Sequence, residues 1–395
     1  MKLNKYFADL HIHIGRASSG QAVKITASDK LNFSNIAQES LERKGIDLVG
    51  VIDAASPDVI KDIESMLDKN IMKELTEGGL LYKDELLIIP GAEVESREEN
   101  GGQVHYLAYF PYLKNLKEFS EIMTQYITNI NLSSQSTGLT GVEIFKITKA
   151  CSGILIPAHA FTPHKSFYGN AFSSFKEVFS EKQWSEIPAI ELGLSADTKL
   201  ADYLPELRNK SFLSNSDAHS IPKIAREYNI FEIKSLNFKE FELALKRKND
   251  RKITKNFGMD PRLGKYHRSY CPECETIFSS EKTVGECPVC ESDKLITGVK
   301  DRVLNISQKK ESKSPSQRAE YIYQVPLLNL PGIGRKTLKK LLNEFGTEME
   351  IIHNSKYENL KSSVGPKIAD VIFKARKGSL TIDSGGGGNY GKVSE

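Results

Sequence analysis

Side chains that bind metal ions recur where the apolar segments of the first 240 residues end. Six of the eight histidines lie in this part of the chain. The candidate ligands, seven at or just beyond the end of an apolar run and one within such a run, are His11, His13, Asp53, Glu93, His159, Asp217, His219 and, within QVHYLAYF, His105. Imidazole and carboxylate together suit zinc, manganese or iron better than calcium. The pattern therefore predicts a metal centre.

His11 and His13 form an H-x-H pair in ADLHIHIG. Alternate residues of a β-strand point to the same side, so both imidazoles can reach one site. Taken alone, this dyad is equally well explained as a buried, hydrogen-bonded histidine pair. The complete set of five histidines and three carboxylates is harder to explain in that way, and it exceeds the ligands that one ion needs. We therefore expect a site for more than one ion.

Three other residues of this region have less specific patterns. His164, in AFTPHKSFYG, is expected at the surface or outside the ligand shell. Glu191, in AIELG, fits a role in the site and a buried carboxylate bonded to the backbone equally well. Cys151 stands alone before an apolar run and is expected to be an inert part of the core.

Four of the five cysteines form a separate cluster, CPEC and CPVC with twelve residues between them. The spacing of Cys271, Cys274, Cys287 and Cys290 is typical of structural zinc sites. Four thiolates complete a tetrahedral shell and leave no open position, so this zinc should stabilise the fold and take no part in catalysis. Contact with DNA and bracing of the neighbouring domains remain equally good roles for the module.

The candidate metal ligands can meet only in a fold that brings the ends of several strands together. The first 240 residues predict such a fold. Candidate strands are KYFADLHIH, DLVGVID, LLIIPGAEVES, QVHYLAYF, GILIPAHA, AIELG and SFLSNSD. Helical patterns lie between them, the first capped by Asn32 or Ser34 and ended by Gly45. This alternation predicts an α/β barrel of about seven strands, with its site at the C-terminal ends of the strands.

The rest of the chain divides into smaller units. We predict a catalytic domain at 1–245, a basic segment with the cysteine module at 246–300, and a helical domain with a glycine-rich tail at 301–395. The basic segment is irregular at 246–268, and the polar stretch SQKKESKSPSQR is a predicted linker at 307–318. Glycines at 385–388 with Tyr390 fit a flexible tail or a loop that wraps a substrate.

Two short segments of the helical domain, LNLPGIGRKTLKKLL and SSVGPKIADVIFKARKG, are weak copies of one motif. Each predicts two helices joined by a glycine turn, which lets backbone N–H groups approach an anion at a helix N-terminus. The motif resembles the helix-hairpin-helix motif, which binds the DNA backbone without reading sequence; an ordinary glycine-turned hairpin is the alternative. The candidate DNA-binding residues are Gly332, Gly334, Arg335, Lys336, Thr337, Gly365 and Lys367.

The charge of the chain is distributed unevenly around a net value of +3. Residues 1–238 hold 25 Lys and Arg against 31 Asp and Glu, whereas residues 239–395 hold 29 against 20. An acidic half can gather cations and a basic half suits a polyanion, although chance asymmetry of a solvated surface is an alternative. No apolar run reaches the roughly 20 residues that span a bilayer, and MKLNKYFADLHIHIG lacks a signal core. We expect a cytoplasmic protein without a membrane partner.

The segments ADLHIHIG, GAEVES, QVHYLAYF, IPAHA and SNSDAH, in that order, resemble the motifs of the polymerase-and-histidinol-phosphatase (PHP) superfamily. The resemblance implies a distorted seven-stranded barrel with a trinuclear metal site for phosphoester hydrolysis. Many members of that superfamily carry Asp-His where this chain has Asp53-Ala54. Since one ligand is replaced, we expect two or three divalent ions, Zn²⁺, Mn²⁺ or Mg²⁺, in addition to the structural Zn²⁺ of the cysteine module.

The order of PHP domain, four-cysteine module and helix-hairpin-helix domain resembles the endonuclease Q family over nearly the whole chain. That resemblance implies a DNA repair endonuclease that uses metal-activated water on damaged duplex or single strands. Such an enzyme cuts the phosphodiester 5′ to uracil, hypoxanthine, xanthine or an abasic site and leaves a 3′-hydroxyl and a 5′-phosphate. The catalytic residues would be His11, His13, Glu93, His159, Asp217 and His219, and the base-pocket candidates are Phe161, Phe167 and Tyr168. The sequence does not indicate a clamp partner.

Two alternatives remain open at the level of the sequence. A PHP-family phosphatase or exonuclease would act on another phosphoester, and cleavage within a closed circle would exclude an obligate exonuclease. A non-catalytic DNA-binding protein with a decayed metal site is suggested by Ala54. Metal content combined with a nicking assay separates that protein from the enzymes.

Overall fold

The computed structural model describes residues 2–264, 266–278, 286–307, 311–385, 389 and 391–394 of the 395-residue chain. Residues 386–388 and 390 of the predicted glycine-rich tail lie outside the described residues. The strands are β1 (Asn4–Ile12), β2 (Leu48–Val51), β3 (Met72–Glu74), β4 (Leu80–Tyr82), β5 (Leu86–Arg97), β6 (Gln103–Tyr109), β7 (Ile154–Pro157), β8 (Ala189–Glu191), β9 (Ser211–Leu213), β10 (Tyr228–Ile233), β11 (Lys252–Gly258), β12 (Glu320–Tyr323), β13 (Thr381–Asp383) and β14 (Lys392–Ser394).

In the described part of the chain, one ten-stranded sheet has the order β12-β11-β10-β1-β2-β5-β4-β3, with β6 and β7 continuing from β5. Strands β1, β2 and β5 run parallel, whereas β10 is antiparallel to β1 and β6 is antiparallel to β5. The predicted α/β class is confirmed, but the sheet is mixed and not wholly parallel. Only five residues join β5 to β6, and a connection this short can join only antiparallel strands, because parallel strands need a long crossover.

Most helices lie in the connections between strands or in the C-terminal part of the chain. They are α1 (Phe33–Glu39), α2 (Pro57–Asp68), α3 (Leu113–Met123), α4 (Gly141–Ala150), α5 (Glu181–Glu186), α6 (Thr198–Ala201), α7 (Phe238–Leu245), α8 (Val299–Ile306), α9 (Arg335–Phe345), α10 (Tyr357–Val364) and α11 (Pro366–Arg376). The predicted cap of the first helix is confirmed, since the Asn35 N–H donates to the Asn32 side chain at 2.8 Å. Gly45, with φ of 75°, ends the π-helical turn that continues α1.

Strands β1, β2 and β5–β9 contribute buried side chains to one core cluster, to which α7 also contributes. Strands β8 and β9 pair with each other as a separate two-stranded sheet. Backbone hydrogen bonds connect this pair to its neighbours: Ala160 N–H donates to Glu191 O at 2.9 Å, and Ala218 N–H donates to His11 O at 3.1 Å. Strands β10 and β11 add Phe231, Ile233 and Ile253 to the same cluster, so the ten-stranded sheet and the separate pair share one apolar interior.

The basic segment after α7 contains a strand that the sequence does not reveal. Strand β11 pairs antiparallel with β10, and the parallel strand β12 extends the same sheet. The prediction of an irregular 246–268 is wrong for this part. Only Ile253 and Phe257 of β11 supply buried apolar side chains, too few among lysine and asparagine for a period of two to stand out.

The predicted linker ends on a fixed contact with the N-terminal region. Arg318 forms a buried ion pair with Asp202, with 2.6 Å between Nη2 and Oδ1. Its guanidinium also lies 3.6 Å from the centroid of the Phe212 ring. Arg318 therefore anchors the chain immediately before β12.

The C-terminal helices pack on the strands through two buried contacts. Lys44 Nζ lies 2.8 Å from Glu348 Oε1, with both side chains less than a tenth exposed. The His353 ring stacks on Phe7 with centroids 4.9 Å apart, and its Nε2 lies 2.7 Å from the Tyr228 hydroxyl. These contacts join the helical region to α1, β1 and β10.

The two predicted hairpins of this region differ in completeness. Before the first glycine turn there is only a 3-10 turn, Leu327–Asn329, because Pro326 and Pro331 leave too little chain between them for a helix. The second copy, the weaker one by sequence, is a complete pair in which α10 and α11 are joined at Gly365, with φ of 83°. No helix among the described residues is long and apolar enough to cross a membrane.

Candidate active site

The eight predicted metal ligands come together at one edge of the strands. Strands β1, β2 and β5 are parallel and end at this edge, and β6 runs in the opposite direction, so the start of β6 lies there. Strands β7, β8 and β9 end beside it. The residues brought together are His11, His13, Asp53, Glu93, His105, His159, Asp217 and His219.

A bulge in β1 aims the two histidines of the H-x-H pair. The register between β1 and β2 shifts between Asp9 and Ile12, where β1 has one residue more than β2. A bulge of this kind turns a strand and redirects its side chains. Leu10 accordingly packs in the apolar core, and the adjacent His11 reaches His13, with 3.3 Å between their Nε2 atoms.

Carboxylates behind the two rings fix how the imidazoles are presented. The Nδ1 atom of His11 lies 3.0 Å from both Glu191 oxygens, and Nδ1 of His13 lies 3.0 Å from Asp53 Oδ2. Because a carboxylate faces each Nδ1, both Nε2 atoms point toward the same space. Two ring nitrogens 3.3 Å apart need either a proton or a metal ion between them, so this pair of rings can exchange a proton for a metal ion.

Three groups of side chains hold ligand atoms within 4.8 Å of one another. The groups are His11 with His13 and Glu93, His13 with Asp217 and His219, and Glu93 with His105 and His159. Two residues, His13 and Glu93, belong to two groups each. The cluster is therefore continuous and suits several ions better than one.

Glu93 is the carboxylate that connects the most histidines. Its Oε1 lies 2.9 Å from His105 Nδ1 and 3.6 Å from Nε2 of both His11 and His159. The buried Nδ1 of His105 has no partner in hydrogen-bond geometry, despite the short distance. His105 Nδ1 and Glu93 Oε1 are thus close but not aligned for a hydrogen bond. Two ligand atoms that share one metal ion would have this arrangement. On the other side of the site, Asp217 Oδ1 lies 3.2 Å from His13 Nε2.

The charges of the cluster reinforce one another. Burial alone would lower the pKa of His11, but Glu191 and Asp217 outweigh it and raise that pKa well above its usual value. Burial alone would raise the pKa of Glu93, but His105 and Lys24 hold it well below the usual range. The carboxylates are thus ionised at neutral pH and attract cations.

Two ligand residues adopt unusual backbone conformations. His159 has φ of 28° and Asp217 has φ of 45°, in the left-handed region that side chains rarely enter. Behind His159, a Cβ on Gly193 would lie 2.8 Å from the His159 Cβ, so only glycine allows this close approach. Such backbone strain clusters at functional sites, where the surrounding structure enforces it.

A cleft of about 420 Å³ opens onto the cluster. Two lysines that the sequence did not single out line it: Lys24, whose Nζ lies 2.9 Å from Glu93 Oε2, and Lys165, 2.6 Å from Glu95 Oε2. Glu95, also missed, accepts from His105 Nε2 at 3.1 Å. Its position two residues after Glu93 on one strand could have identified it, whereas Lys24 and Lys165 lie in loops without a periodic signal. A larger cleft of about 820 Å³ contains none of the predicted ligands.

The three aromatic residues predicted to line a base pocket do not reach the cleft. Phe161, Phe167 and Tyr168 are at most 1% exposed and belong to the main core cluster. The Phe167 ring stacks on Trp184 with centroids 5.7 Å apart. Their prediction as pocket residues is corrected, because packing of FTPHKSFYG against the core occupies these rings.

Three further residues of the first domain lie in different environments. Glu191 is buried against His11 and is part of the site, although it is absent from the predicted ligand set. The His164 ring packs edge-on against Tyr266, with centroids 5.6 Å apart, away from the cluster. Cys151 is buried in the core, as predicted.

The four clustered cysteines lie within 4.8 Å of one another, measured between their sulfur atoms. Cys274 Sγ is 3.4 Å from Cys287 Sγ, and Cys271 Sγ is 3.6 Å from Cys290 Sγ. Phe278 packs against them in a small separate core. The arrangement fits one tetrahedral ion with four thiolates.

Comparisons with known proteins give the following relationships. No model of a known protein family matches the chain. The chain is 44% identical over 393 residues to the uncharacterized protein YqxK of Bacillus subtilis, covering 99% of this chain and all of that protein. The crystal structure of the lesion-specific endonuclease PfuEndoQ from Pyrococcus furiosus has a TM-score of 0.83 and 32% identity, covering 99% of this chain and 95% of that one.

A crystal structure of endonuclease Q in complex with a 27-mer duplex substrate has a TM-score of 0.82 and 32% sequence identity to this chain. It covers 99% of this chain and 96% of that one, and its substrate carries an abasic lesion at the active site.

Proposed function

The chain belongs to the endonuclease Q family, and from this premise we propose that it is a metal-dependent DNA repair endonuclease. It hydrolyses the phosphodiester 5′ to uracil, hypoxanthine, xanthine or an abasic site and leaves a 3′-hydroxyl and a 5′-phosphate. The observation that carries this proposal is the continuous ligand cluster, in a chain similar to a lesion-specific endonuclease over 99% of its length.

The ligand set fits two or three divalent ions, for which we propose Zn²⁺, Mn²⁺ or Mg²⁺. Ions of this kind lower the pKa of bound water and neutralise charge on the phosphate. His11 and His13 offer Nε2 to this site, while Glu191 and Asp53 hold their Nδ1 atoms from behind. The residues assigned to catalysis are His11, His13, Glu93, His159, Asp217 and His219, and His105 is a further proposed ligand. Asp53 stays in the proposed metal set, although it lies outside the three ligand groups and contacts His13 Nδ1.

The proposal extends to the scaffold. We assign β1, β2 and β5–β9 to a distorted seven-stranded PHP barrel, and we keep the boundaries 1–245, 246–300 and 301–395 for the catalytic, cysteine and helical domains. The second and third of these segments contribute β11 and β12 to the sheet of the first. We assign one structural Zn²⁺ to the cysteine cluster.

Duplex DNA is the proposed partner of the glycine turns. Gly334 precedes α9 and Gly365 precedes α11, and a Cβ at Gly332 would lie 3.5 Å from Ile368, so the two turns are neighbours. Exposed backbone N–H groups at adjacent helix N-termini can hold two phosphates of one strand. The residues assigned to this contact are Gly332, Gly334, Arg335, Lys336, Thr337, Gly365 and Lys367.

Ala54 does not argue for a decayed, non-catalytic site. It is fully buried and its N–H donates to Gly91 O at 3.0 Å. Each of the three ligand groups has three donors without a contribution from position 54. The replaced ligand therefore leaves a cluster that can still hold more than one ion.

End-mapping of cleaved duplexes tests the proposal. Duplexes with one uracil, hypoxanthine, xanthine or abasic site are incubated with the chain and Mn²⁺, and both new ends are identified. The proposal requires one cut on the 5′ side of the lesion, a 3′-hydroxyl, and no cut in undamaged duplex. Release of nucleotides only from DNA ends would support the exonuclease, and binding without cleavage would support the non-catalytic protein.

A further inference from the structure

Ile25 is 78% exposed, the largest exposed fraction among the large hydrophobic residues that the structure describes. An exposed isoleucine gains no free energy from folding, because its apolar surface stays in water. Single exposed apolar side chains are common and need no explanation. This one lies on the wall of the cleft that opens onto the metal ligands, together with Glu93 and His219.

The turn that carries Ile25 is held by backbone hydrogen bonds. Lys24 N–H donates to Ile14 O at 2.9 Å, and Ala27 N–H donates to Lys24 O at 3.0 Å. Val23, two residues before Ile25, is fully buried, and its carbonyl accepts from Ser133 N–H at 2.9 Å. The backbone on both sides of Ile25 is therefore anchored, and the side chain projects from a fixed turn.

The same turn connects Ile25 directly to the metal cluster. The Nζ atom of Lys24 lies 2.9 Å from Glu93 Oε2, so the residue before Ile25 contacts the carboxylate that links two ligand groups. A phosphate bound at the cluster would therefore place its neighbouring nucleotides beside Ile25. Lys24 and Lys165 line the same cleft, and each is paired with a glutamate of β5.

The interior of the base stack is the apolar part of duplex DNA. A lesion that leaves the stack opens a gap between its neighbours, and the loss of stacking costs free energy. Proteins that distort DNA often insert an apolar side chain such as isoleucine between base steps. We propose that Ile25 is such a wedge and enters the base stack at the lesion while the adjacent phosphate occupies the metal cluster. This inference rests on the proposed function and adds a residue that favours unstacking.

The test compares two forms of the same lesion. One duplex carries uracil in a base pair, and the other carries it at the centre of a bubble of unpaired bases. Ile25→Ala should lower kcat/KM on the paired lesion about 10-fold or more, because the wedge offsets the cost of unstacking. It should change kcat/KM on the bubble less than about 2-fold, since these bases are already unstacked. Ile25→Leu keeps the apolar bulk and should restore cleavage of the paired lesion.

Ile71→Ala is the matched control, because Ile71 is an exposed isoleucine (39%) that does not line the cleft. This variant should cleave both substrates at the wild-type rate. Equal losses by Ile25→Ala on the two substrates, or no loss on the paired lesion, would overturn the wedge.

A binding measurement separates the wedge from the proposed function. A 2-aminopurine placed next to the lesion fluoresces when it is unstacked, and it is read in the Asp217→Asn background, with and without Ile25→Ala. The fluorescence increase should fall to about half or less in the double variant at saturating protein, because unstacking needs the wedge. An equal increase in both proteins would exclude the wedge even if lesion duplexes are cleaved. A wild-type chain that cleaves neither lesion duplex would instead contradict the proposed function, and the fluorescence would still decide whether Ile25 unstacks bases.

Discussion

Glu191 holds the metal site in place at the scale of single residues. Its Oε1 accepts from Asn215 Nδ2 at 2.8 Å, its Oε2 accepts from His159 N–H at 2.7 Å, and both oxygens lie 3.0 Å from His11 Nδ1. Three donors point at one carboxylate. The Asn229 side chain in turn donates to Asn215 Oδ1 at 3.0 Å, so a chain of buried amides supports the position of Glu191.

Glu191→Gln should weaken metal binding without unfolding the chain. The amide turns one acceptor into a donor, which then faces a donor of His11, Asn215 or His159. Loss of such a supporting carboxylate typically lowers metal affinity 10–100-fold, so we expect a decrease of about that size. Metal titration of the purified chain measures it, and circular dichroism checks the fold. Glu186→Gln, at a partly exposed carboxylate paired with Lys149, is the control. Wild-type affinity in Glu191→Gln would show that Glu191 does not position His11.

At the scale of elements, the cysteine module has a small core of its own, and we propose that one bound ion stabilises it. Its small core consists of Phe278 and two cysteines, with Leu295 packed against them. An apolar cluster of this size cannot maintain a fold alone, so the ion must contribute most of the stability. The double variant Cys274→Ser and Cys290→Ser should lose one zinc per chain and become protease-sensitive near 265–300. Zinc analysis and limited proteolysis measure both effects. Retention of all zinc would contradict the four-thiolate site.

The packing of the helical region on the strands depends on a neutral histidine. Burial, reinforced by the positive charges of Arg376 and Lys255, lowers the pKa of His353 to about 4. Between pH 6.5, the ordinary pKa of histidine, and pH 4, the unfolded chain binds a proton that the folded chain does not. The free energy of unfolding therefore decreases as the pH falls through this window. The stabilisation from neutral, buried His353 is fully present above pH 6.5.

His353→Phe should make the stability of the chain less dependent on pH. The ring can still stack on Phe7, and the Tyr228 hydroxyl keeps its hydrogen bond to Gln324 at 2.6 Å. At pH 7.5 the variant should be less stable than the wild type by about 1 kcal/mol, the value of one hydrogen bond. Thermal unfolding of both proteins between pH 7.5 and 5 should show the difference shrinking and then changing sign as the pH falls, because the wild type loses about 2 kcal/mol over this window. A constant difference would show that His353 does not titrate in this window.

The sequence predicted the ligands far better than it predicted the elements that aim them. Seven strand segments and the eight candidate ligands could be read from apolar runs and the residues at their ends, and seven of these candidates lie in the three ligand groups of the structure. The bulge between Asp9 and Ile12, the antiparallel direction of β6 and the strand β11 could not. A bulge changes register without changing composition, and β11 buries only two apolar side chains among polar ones.

The prediction of an aromatic base pocket failed because it relied on closeness in the sequence. Phe161, Phe167 and Tyr168 follow His159 closely, but proximity in sequence does not decide whether a large apolar ring faces a cleft or the core. Burial of such rings is favoured by roughly 1.5–3 kcal/mol each, so the core was the better prediction. Ile25 is exposed in the structure although its residue type favours burial, and no pattern in the sequence distinguishes it.

At the scale of the whole molecule, we propose that the glycine turns and the metal cluster contact one DNA strand at two places. The buried contacts Lys44–Glu348 and His353–Tyr228 join the helical region to the strands. Lys336→Ala, at the first turn of α9, should weaken binding of all duplexes about equally and reduce the slope of log affinity against log salt by about 0.9, the value of one phosphate contact. Fluorescence anisotropy across a salt series measures the slope. Lys182→Ala, on α5, should leave the slope unchanged, and an unchanged slope in Lys336→Ala would exclude the contact.

The central claim is that the ligand cluster performs metal-dependent hydrolysis at a lesion, and nicking of closed circular DNA tests it most directly. Two circles, one with a single uracil and one undamaged, are incubated with chain from which the metal has been removed, while Mn²⁺ is added stepwise. We predict no nicking without metal, one nick per uracil circle as Mn²⁺ rises, and an intact undamaged circle. Asp217→Asn, which removes one oxygen ligand from the cluster without changing side-chain volume, should lower the rate by at least about 100-fold, the upper range for a disturbed metal site. Metal-independent nicking, equal nicking of both circles, or a wild-type rate in Asp217→Asn at saturating Mn²⁺ would contradict the account.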